Sequence, residues 1–206
     1  MSKYNMYVED VSVEAVFNKL GGIDGARRFL RGELVLSVPV RSWTAENGIS
    51  RFSVTSDGAT GPEWINWFDT NDYQLDDDAK TLLVSDKFRP TNGVTYQVCV
   101  LKGERYEDQK RITKEICADA QQLKLSEPPL ELACLIRKMF TNERVQEMGL
   151  CWIVIMHKAV KLSGALRLLG VACCDGVGRL RTYYAYPADD WNCEFGFAFL
   201  ASQVSS

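Results

Sequence analysis

The chain has 206 residues, of which 46% are hydrophobic and 25% charged, and it carries a net charge of −3. This size and composition allow a substantial hydrophobic core without disulfides or metals to support it. The negative net charge argues against a general polyanion-binding protein, because such proteins carry a basic face. Arg27, Arg28 and Arg31 lie close together but fit the solvated side of one short helix, so nucleic acid is not expected as a partner.

The cysteines and the N-terminus favour a reducing compartment. Seven cysteines are an odd number without framework spacing, and several lie in apolar runs such as 151–156. Residues 1–5 lack the basic-then-apolar pattern of a signal peptide. No apolar run approaches the roughly 20 residues that a membrane helix requires. We therefore expect a cytoplasmic protein with no membrane partner.

Helices dominate the predicted elements up to Gly149, each marked by apolar residues at helical spacing and by a cap or a terminating glycine. Asp72 or Asp76 is expected to cap the fourth helix and Asn142 the last. Strands are expected at 34–38, 51–55 and 95–101, with an Asn47-Gly48 turn signal between the first two. The predicted helices are 13–20, 24–32, 62–68, 75–83, 108–123, 128–140 and 142–149.

After Gly149 the pattern changes to strands, predicted at 151–156, 166–172, 180–186 and 195–201. This segregation of helices from strands is typical of the α+β class and not of alternating α/β proteins. We therefore predict a single α+β domain over residues 1–206. A weak internal boundary near 149 separates a helix-rich part, 1–149, from a strand-rich part, 150–206.

His157 is the single histidine of the chain. A nucleophilic site would require a thiol such as Cys151 or Cys173 to meet it in space, with a third group to orient the imidazole. No signature in the sequence supplies that arrangement. We favour the alternative, a hydrogen-bonding residue at the end of a buried strand, and predict that the chain is not an enzyme and has no catalytic residues.

Metal and cofactor sites are weakly supported. His157, Cys173, Cys174 and Cys193 offer four soft ligands, but adjacent cysteines rarely serve one tetrahedral site and C-x-x-C spacing is absent. The loop 56–62 is similar to an anion-binding loop that leads into a helix. It lacks both the P-loop ending and the dinucleotide-binding glycines, so a hairpin or capping loop is favoured. We predict neither metal nor cofactor.

The segment 162–206 has an unusual composition. It contains no lysine, isoleucine, methionine or histidine, although it holds three of the seven cysteines. Residues 183–195 follow neither a strand nor a helix period and mix aromatic, small and acidic side chains, as surface binding loops do. Composition alone slightly favours a different explanation, a tyrosine-rich sheet.

The closing segment 191–202, WNCEFGFAFLAS, resembles the end of variable proteins diversified by retroelements, in which a tryptophan-containing loop leads to a final strand that opens with Gly-Phe. Residues 18–30, NKLGGIDGARRFL, followed by 32–34, GEL, are similar to the start of uncharacterised bacterial proteins with such tails, many from candidate phyla. The resemblance covers residues 1–35 and 162–206. It implies that the strand-rich part has a C-type-lectin-like fold.

In that family, adenines at the 3′ end of the gene are randomised during reverse transcription, mainly in AAC codons. Changes at the two adenines of such a codon can yield Tyr, Asp, Ser, Cys, Arg, Val, Ala, Gly or Phe among others, but never Lys, Gln, Glu, Met or Trp. Trp191 and Gly196 are then expected as fixed scaffold with Phe197 and Phe199 buried beside them, while Glu194 departs from the rule. The positions that fit, and that we predict to bind ligand, are Cys173, Cys174, Val177, Arg181, Tyr183, Tyr184, Tyr186, Asp189, Asp190, Asn192, Cys193 and Phe195.

The resemblance implies a ligand-binding protein that presents these side chains to a protein or another macromolecule. The alternative is an accessory protein of a phage or mobile element that acts through protein–protein contact from its helical half. The region 37–150 carries no motif that assigns it a role of its own.

Overall fold

The computed structural model describes residues 16–18, 20–34, 42–173 and 176–201 of the chain. The chain divides into two units, 1–41 and 42–206. In the first unit residues 16–18 are helical and helix α1 spans Gly22–Leu30, followed by Gly32 at φ +74°. The predicted second helix is therefore confirmed. Residues 13–15 and 19 of the predicted helix 13–20, and residues 35–38 of the predicted strand 34–38, lie outside the described residues.

The second unit is built on one large sheet. It contains ten strands in the described part of the chain, in the order β1-β2-β4-β10-β6-β8-β9-β3, with β5 beside β10 and β7 beside β8. The strands are β1 Thr44–Glu46, β2 Ile49–Asp57, β3 Gln74–Leu75, β4 Asn92–Lys102, β5 Leu125–Ser126, β6 Trp152–Ile155, β7 Val160–Leu162, β8 Ala165–Ala172, β9 Arg179–Tyr184 and β10 Phe195–Ala201. The final strand has the bounds that the sequence predicts.

Strand β10 occupies the middle of this sheet. It pairs antiparallel with β4 on one side and parallel with β6 on the other. The described α-helices all precede Gly149 and strands follow it, so the predicted mixed α and β composition is confirmed. Because β1 to β5 also precede Gly149, the helix-rich and strand-rich parts contribute to the same sheet.

Helices cover both faces of the sheet. They are α2 Gly61–Thr70, α3 Asp77–Leu83, α4 Thr113–Gln122, α5 Leu132–Met139 and α6 Asn142–Glu147, with short 3-10 turns at Gly103–Arg105 and Asp108–Lys110. Alternate residues of β10 divide between two hydrophobic clusters. Ala198 packs with α2, α3, α5 and α6, whereas Phe197 and Phe199 pack with Ile116 of α4. Burial on both faces explains why the central strands are continuous apolar runs.

Local signals explain most of the element bounds. Asn47 and Gly48, at φ 51° and 69°, make the tight turn between β1 and β2. Asp76 Oδ1 accepts from Ala79 N at 2.6 Å, which confirms it as the cap of α3. Glu63 Oε2 accepts from Thr60 N at 2.7 Å in a capping box, so a carboxylate fills the N-terminus of α2. The loop before α2 is therefore a capping loop.

The predicted cap of α6 is wrong, and so are the predicted starts of α4 and of α5, which begins at Leu132 and not at 128. Thr141 caps α6, since its Oγ1 accepts from Arg144 N, and Asn142 is the first helical residue. The helix predicted from 108 begins at Thr113. Residues 108–110 form a separate 3-10 turn, and the following Arg111 turns inward, where its guanidinium donates to the carbonyl oxygens of Gly103 at 2.9 Å and Tyr106 at 2.8 Å.

His157 fixes the end of β6 to β8. It is 3% exposed, and its Nε2 accepts from Leu169 N at 2.9 Å, which leaves Nδ1 to donate to Lys158 O at 2.9 Å. Burial lowers the pKa of His157 to about 4. Because the folded chain holds the imidazole neutral, its contribution to stability is complete above the unfolded pKa near 6.5 and is lost as the pH falls towards 4.

We predict that the wild-type protein loses about 3 kcal/mol more unfolding free energy between pH 7 and pH 4 than the His157→Gln variant. Glutamine keeps an acceptor for Leu169 N but does not titrate. Urea unfolding at several pH values measures the difference. Parallel pH profiles for the two proteins would show that His157 is not held neutral by the fold.

Candidate functional site

The end of β9, the loop 185–194 and the start of β10 enclose an open pocket of about 310 Å³, which we call the aromatic pocket. Six of its seven lining residues are positions that the sequence predicts to bind ligand, and the seventh, Trp191, is a predicted scaffold residue. The lining residues are Tyr183, Tyr184, Asp189, Asp190, Trp191, Asn192 and Phe195.

Main-chain hydrogen bonds attach the loop to the first turn of α4. Thr113 N donates to Asp189 O at 3.1 Å and Lys114 N to Pro187 O at 3.0 Å. These are amides that a helix N-terminus cannot satisfy internally. Trp191 N donates in turn to Arg111 O at 3.0 Å, and its indole Nε1 donates to Thr113 Oγ1 at 3.0 Å. The loop therefore completes the start of α4.

Gly103 lets the loop pass close to the end of β4. A Cβ atom at this position would lie 2.8 Å from both Asn192 O and Cys193 O, which real Cβ atoms do not tolerate. Arg111 lies beside it, 8% exposed, and its guanidinium also reaches Trp191 O at 3.4 Å. The backbone of the loop lies against the sheet because Gly103 has no side chain in the way and because the buried guanidinium of Arg111 binds a carbonyl group of the loop.

Aromatic contacts hold the floor of the pocket. Phe195 stacks on Trp152 with ring centroids 4.6 Å apart, and Trp191 contacts Phe195 at 5.3 Å and Phe197 at 5.5 Å. Tyr183 lies 6.0 Å from Trp191, and its ring covers Gly170 of β8, where a Cβ would approach within 2.6 Å. Tyr183 and Phe195 are consequently half-buried and partly belong to the framework.

The predicted positions separate by exposure. Those that are exposed are Arg181, Tyr184, Tyr186, Asp190, Asn192 and Cys193. Those that are half-buried are Val177, Tyr183, Asp189 and Phe195. Cys174 lies outside the described residues. Among the predicted scaffold residues Gly196, Phe197 and Phe199 are buried, and Trp191 is half-buried.

Cys173 is a correction to the predicted surface. It is fully buried in the core, where its amide donates to Cys151 O at 3.0 Å and its thiol lies 3.1 Å from the same oxygen. The residue continues the inward alternation of β8 from Val171. A charged or large side chain has no room there, so Cys173 belongs to the framework and not to a ligand-facing surface.

The arrangement around His157 does not support thiol chemistry. Both of its ring nitrogens are engaged with the backbone, so neither is free to take a proton from Cys151 or Cys173. No group of three or more His, Cys, Asp or Glu side chains that could hold a metal ion occurs within the described ranges.

Arg137 is a supporting residue that sequence reasoning missed. It is 0% exposed, with its guanidinium 4.8 Å from the centre of the Tyr73 ring, and burial lowers its pKa. Its Nη1 donates to Asn142 Oδ1 at 2.9 Å, and Asn142 Nδ2 donates to Gly176 O at 3.0 Å. Arg137 is thus linked through Asn142 to Gly176, which precedes β9. In the sequence it looks like an ordinary cation in the last turn of an amphipathic helix.

No known protein family, curated protein or solved structure matches this chain. Within the described residues, no helix is both long enough and apolar enough to cross a membrane.

Proposed function

We propose that the chain is a ligand-binding protein whose C-terminal segment presents interchangeable side chains to another macromolecule. The observation that carries this proposal is the aromatic pocket, where six positions selected by the codon argument meet on one open surface. In this proposal the strand-rich part is a C-type-lectin-like scaffold, the segment is diversified by a retroelement, and the protein acts in the cytoplasm, in keeping with its seven cysteines.

The loop 185–194 is held to its neighbours by main-chain hydrogen bonds, and this supports the proposal that its side chains can change without unfolding the site. The bonds to α4 use the carbonyl groups of Pro187 and Asp189, and Cys151 N donates to Glu194 O at 3.0 Å. None of these bonds depends on which side chain the loop residue carries. The backbone can therefore keep its position while the exposed side chains vary, as a diversified recognition surface requires.

The buried framework under the pocket supports the same reading. Phe197 is 0% exposed and Phe199 4%, and both pack against α4 on the face opposite Ala198. The sequence argument keeps Trp191 and Gly196 constant. Gly196 has no room for a side chain, because a Cβ there would lie 2.6 Å from Val100 Cγ1 and 2.7 Å from Leu150 Cδ1.

We predict that Tyr184→Ser, Asp190→Tyr and Asn192→Ser each change the unfolding free energy by less than about 1 kcal/mol, because these side chains are exposed. As a matched buried control, Cys173→Asp should cost more than about 3 kcal/mol, since it places a carboxylate in the core. Denaturant unfolding measures all four. A cost above about 2 kcal/mol at each of the three exposed positions would contradict an interchangeable surface.

The retroelement part of the proposal has its own test. Sequencing the 3′ end of the gene across a population of cells should show variation at the codons of the exposed positions and none in those of β4. The variable bases should correspond to adenines in a near-copy of the tail beside a reverse-transcriptase gene. Variation spread evenly over both regions, or a genome without such a near-copy, would overturn diversification while leaving the pocket itself unaffected.

A further inference from the structure

The aromatic pocket combines ring faces with carboxylates. Tyr183, Tyr184, Trp191 and Phe195 contribute aromatic surface, and Asp189 and Asp190 contribute the charges. The face of an aromatic ring carries partial negative charge and attracts cations, tryptophan most strongly. Aromatic walls beside acidic groups are the chemistry that selects a positively charged group over a neutral one of the same shape.

The two carboxylates retain capacity to bind a ligand. Asp190 is exposed, and in the described part of the chain its side chain makes no hydrogen bond or ion pair. Asp189 Oδ2 accepts one bond, from Tyr186 N at 2.7 Å, which leaves its other oxygen available. A cation entering the pocket would therefore meet carboxylates that the described residues have not already neutralised.

Two arginines of the chain already show how guanidinium groups use these rings. Arg167 lies 4.0 Å from the centre of the Tyr184 ring and is paired with Asp78 at 3.2 Å. Arg181 lies 5.7 Å from the centre of the Tyr183 ring, and its side chain is exposed. Arg167 is held by its carboxylate partner, whereas no described carboxylate pairs with Arg181, so Arg181 is the less firmly held of the two cations beside these rings.

We infer that the aromatic pocket binds an arginine side chain of a protein partner, with the guanidinium against Trp191 and paired with Asp190. Arginine is preferred to lysine because its planar group both stacks on rings and forms paired bonds to a carboxylate. The inference rests on the proposed function, since it names the partner chemistry of the same surface.

The test uses the full chain with N-acetyl-arginine amide and its neutral isostere, N-acetyl-citrulline amide, at constant ionic strength. The readout is the indole N–H signal of Trp191 in nitrogen-15 spectra, assigned with Trp191→Phe. We expect saturable millimolar binding of the arginine compound and at least about tenfold weaker binding of citrulline. Equal binding of both compounds, or no shift with either, overturns the inference.

Three variants refine the result. Asp190→Asn should weaken arginine binding at least about threefold, while Asp69→Asn, the same charge change at an exposed residue outside the pocket, should not. Arg181→Gln should strengthen binding, because it removes a positive charge that lies 5.7 Å from the centre of the Tyr183 ring. Unchanged indole signals from Trp43, Trp64 and Trp67, which do not line the pocket, verify folding. Identical affinities for wild type and Asp190→Asn would overturn the assigned pairing. The unfolding series and the gene sequencing test the proposed function independently.

Discussion

The hydrogen bonds between the main chain of the loop 185–194 and the first turn of α4 are the interaction on which the candidate site depends. A helix that starts against a sheet exposes amides that must find acceptors. Here the loop supplies them from Pro187 and Asp189, and Trp191 closes the contact by donating to Arg111. Each bond contributes only about 1 kcal/mol, but a buried amide left without a partner costs more, so loop and helix hold each other in place.

Anchoring through the backbone separates two properties that usually conflict. A recognition surface has to be rigid to bind well, because ordering a loose loop consumes binding free energy. It also has to tolerate new side chains if those are to vary. Rigidity and side-chain variation are not fully separated, because two of the predicted variable side chains also pack on the framework: Tyr183 covers Gly170 and Phe195 stacks on Trp152. Variation at these two positions therefore changes packing as well as the surface, whereas Tyr184, Asp190 and Asn192 are exposed.

Elements with strong local signals could be predicted from the sequence. The final strand, the Asn47-Gly48 turn and the cap at Asp76 follow from period, turn chemistry and capping rules. Contacts between distant residues could not. Trp191 donates to Thr113 from 78 positions away, and no local pattern indicates that meeting. In the sequence, Cys173 follows the small residue Ala172. The alternation of inward and outward side chains along β8 is hard to recognise there, so the burial of Cys173 is not indicated.

Amide hydrogen exchange tests most directly the claim that backbone bonds to α4, and not the exposed variable side chains, hold the loop against that helix. The amides to follow are those of Thr113, Lys114 and Trp191, in the wild-type chain and in a variant with Tyr184, Tyr186, Asp190 and Asn192 all replaced by serine. We expect equal protection of these amides in both proteins. Loss of their protection in the variant, with β4 still protected, would show that the variable side chains hold the loop and would contradict the account.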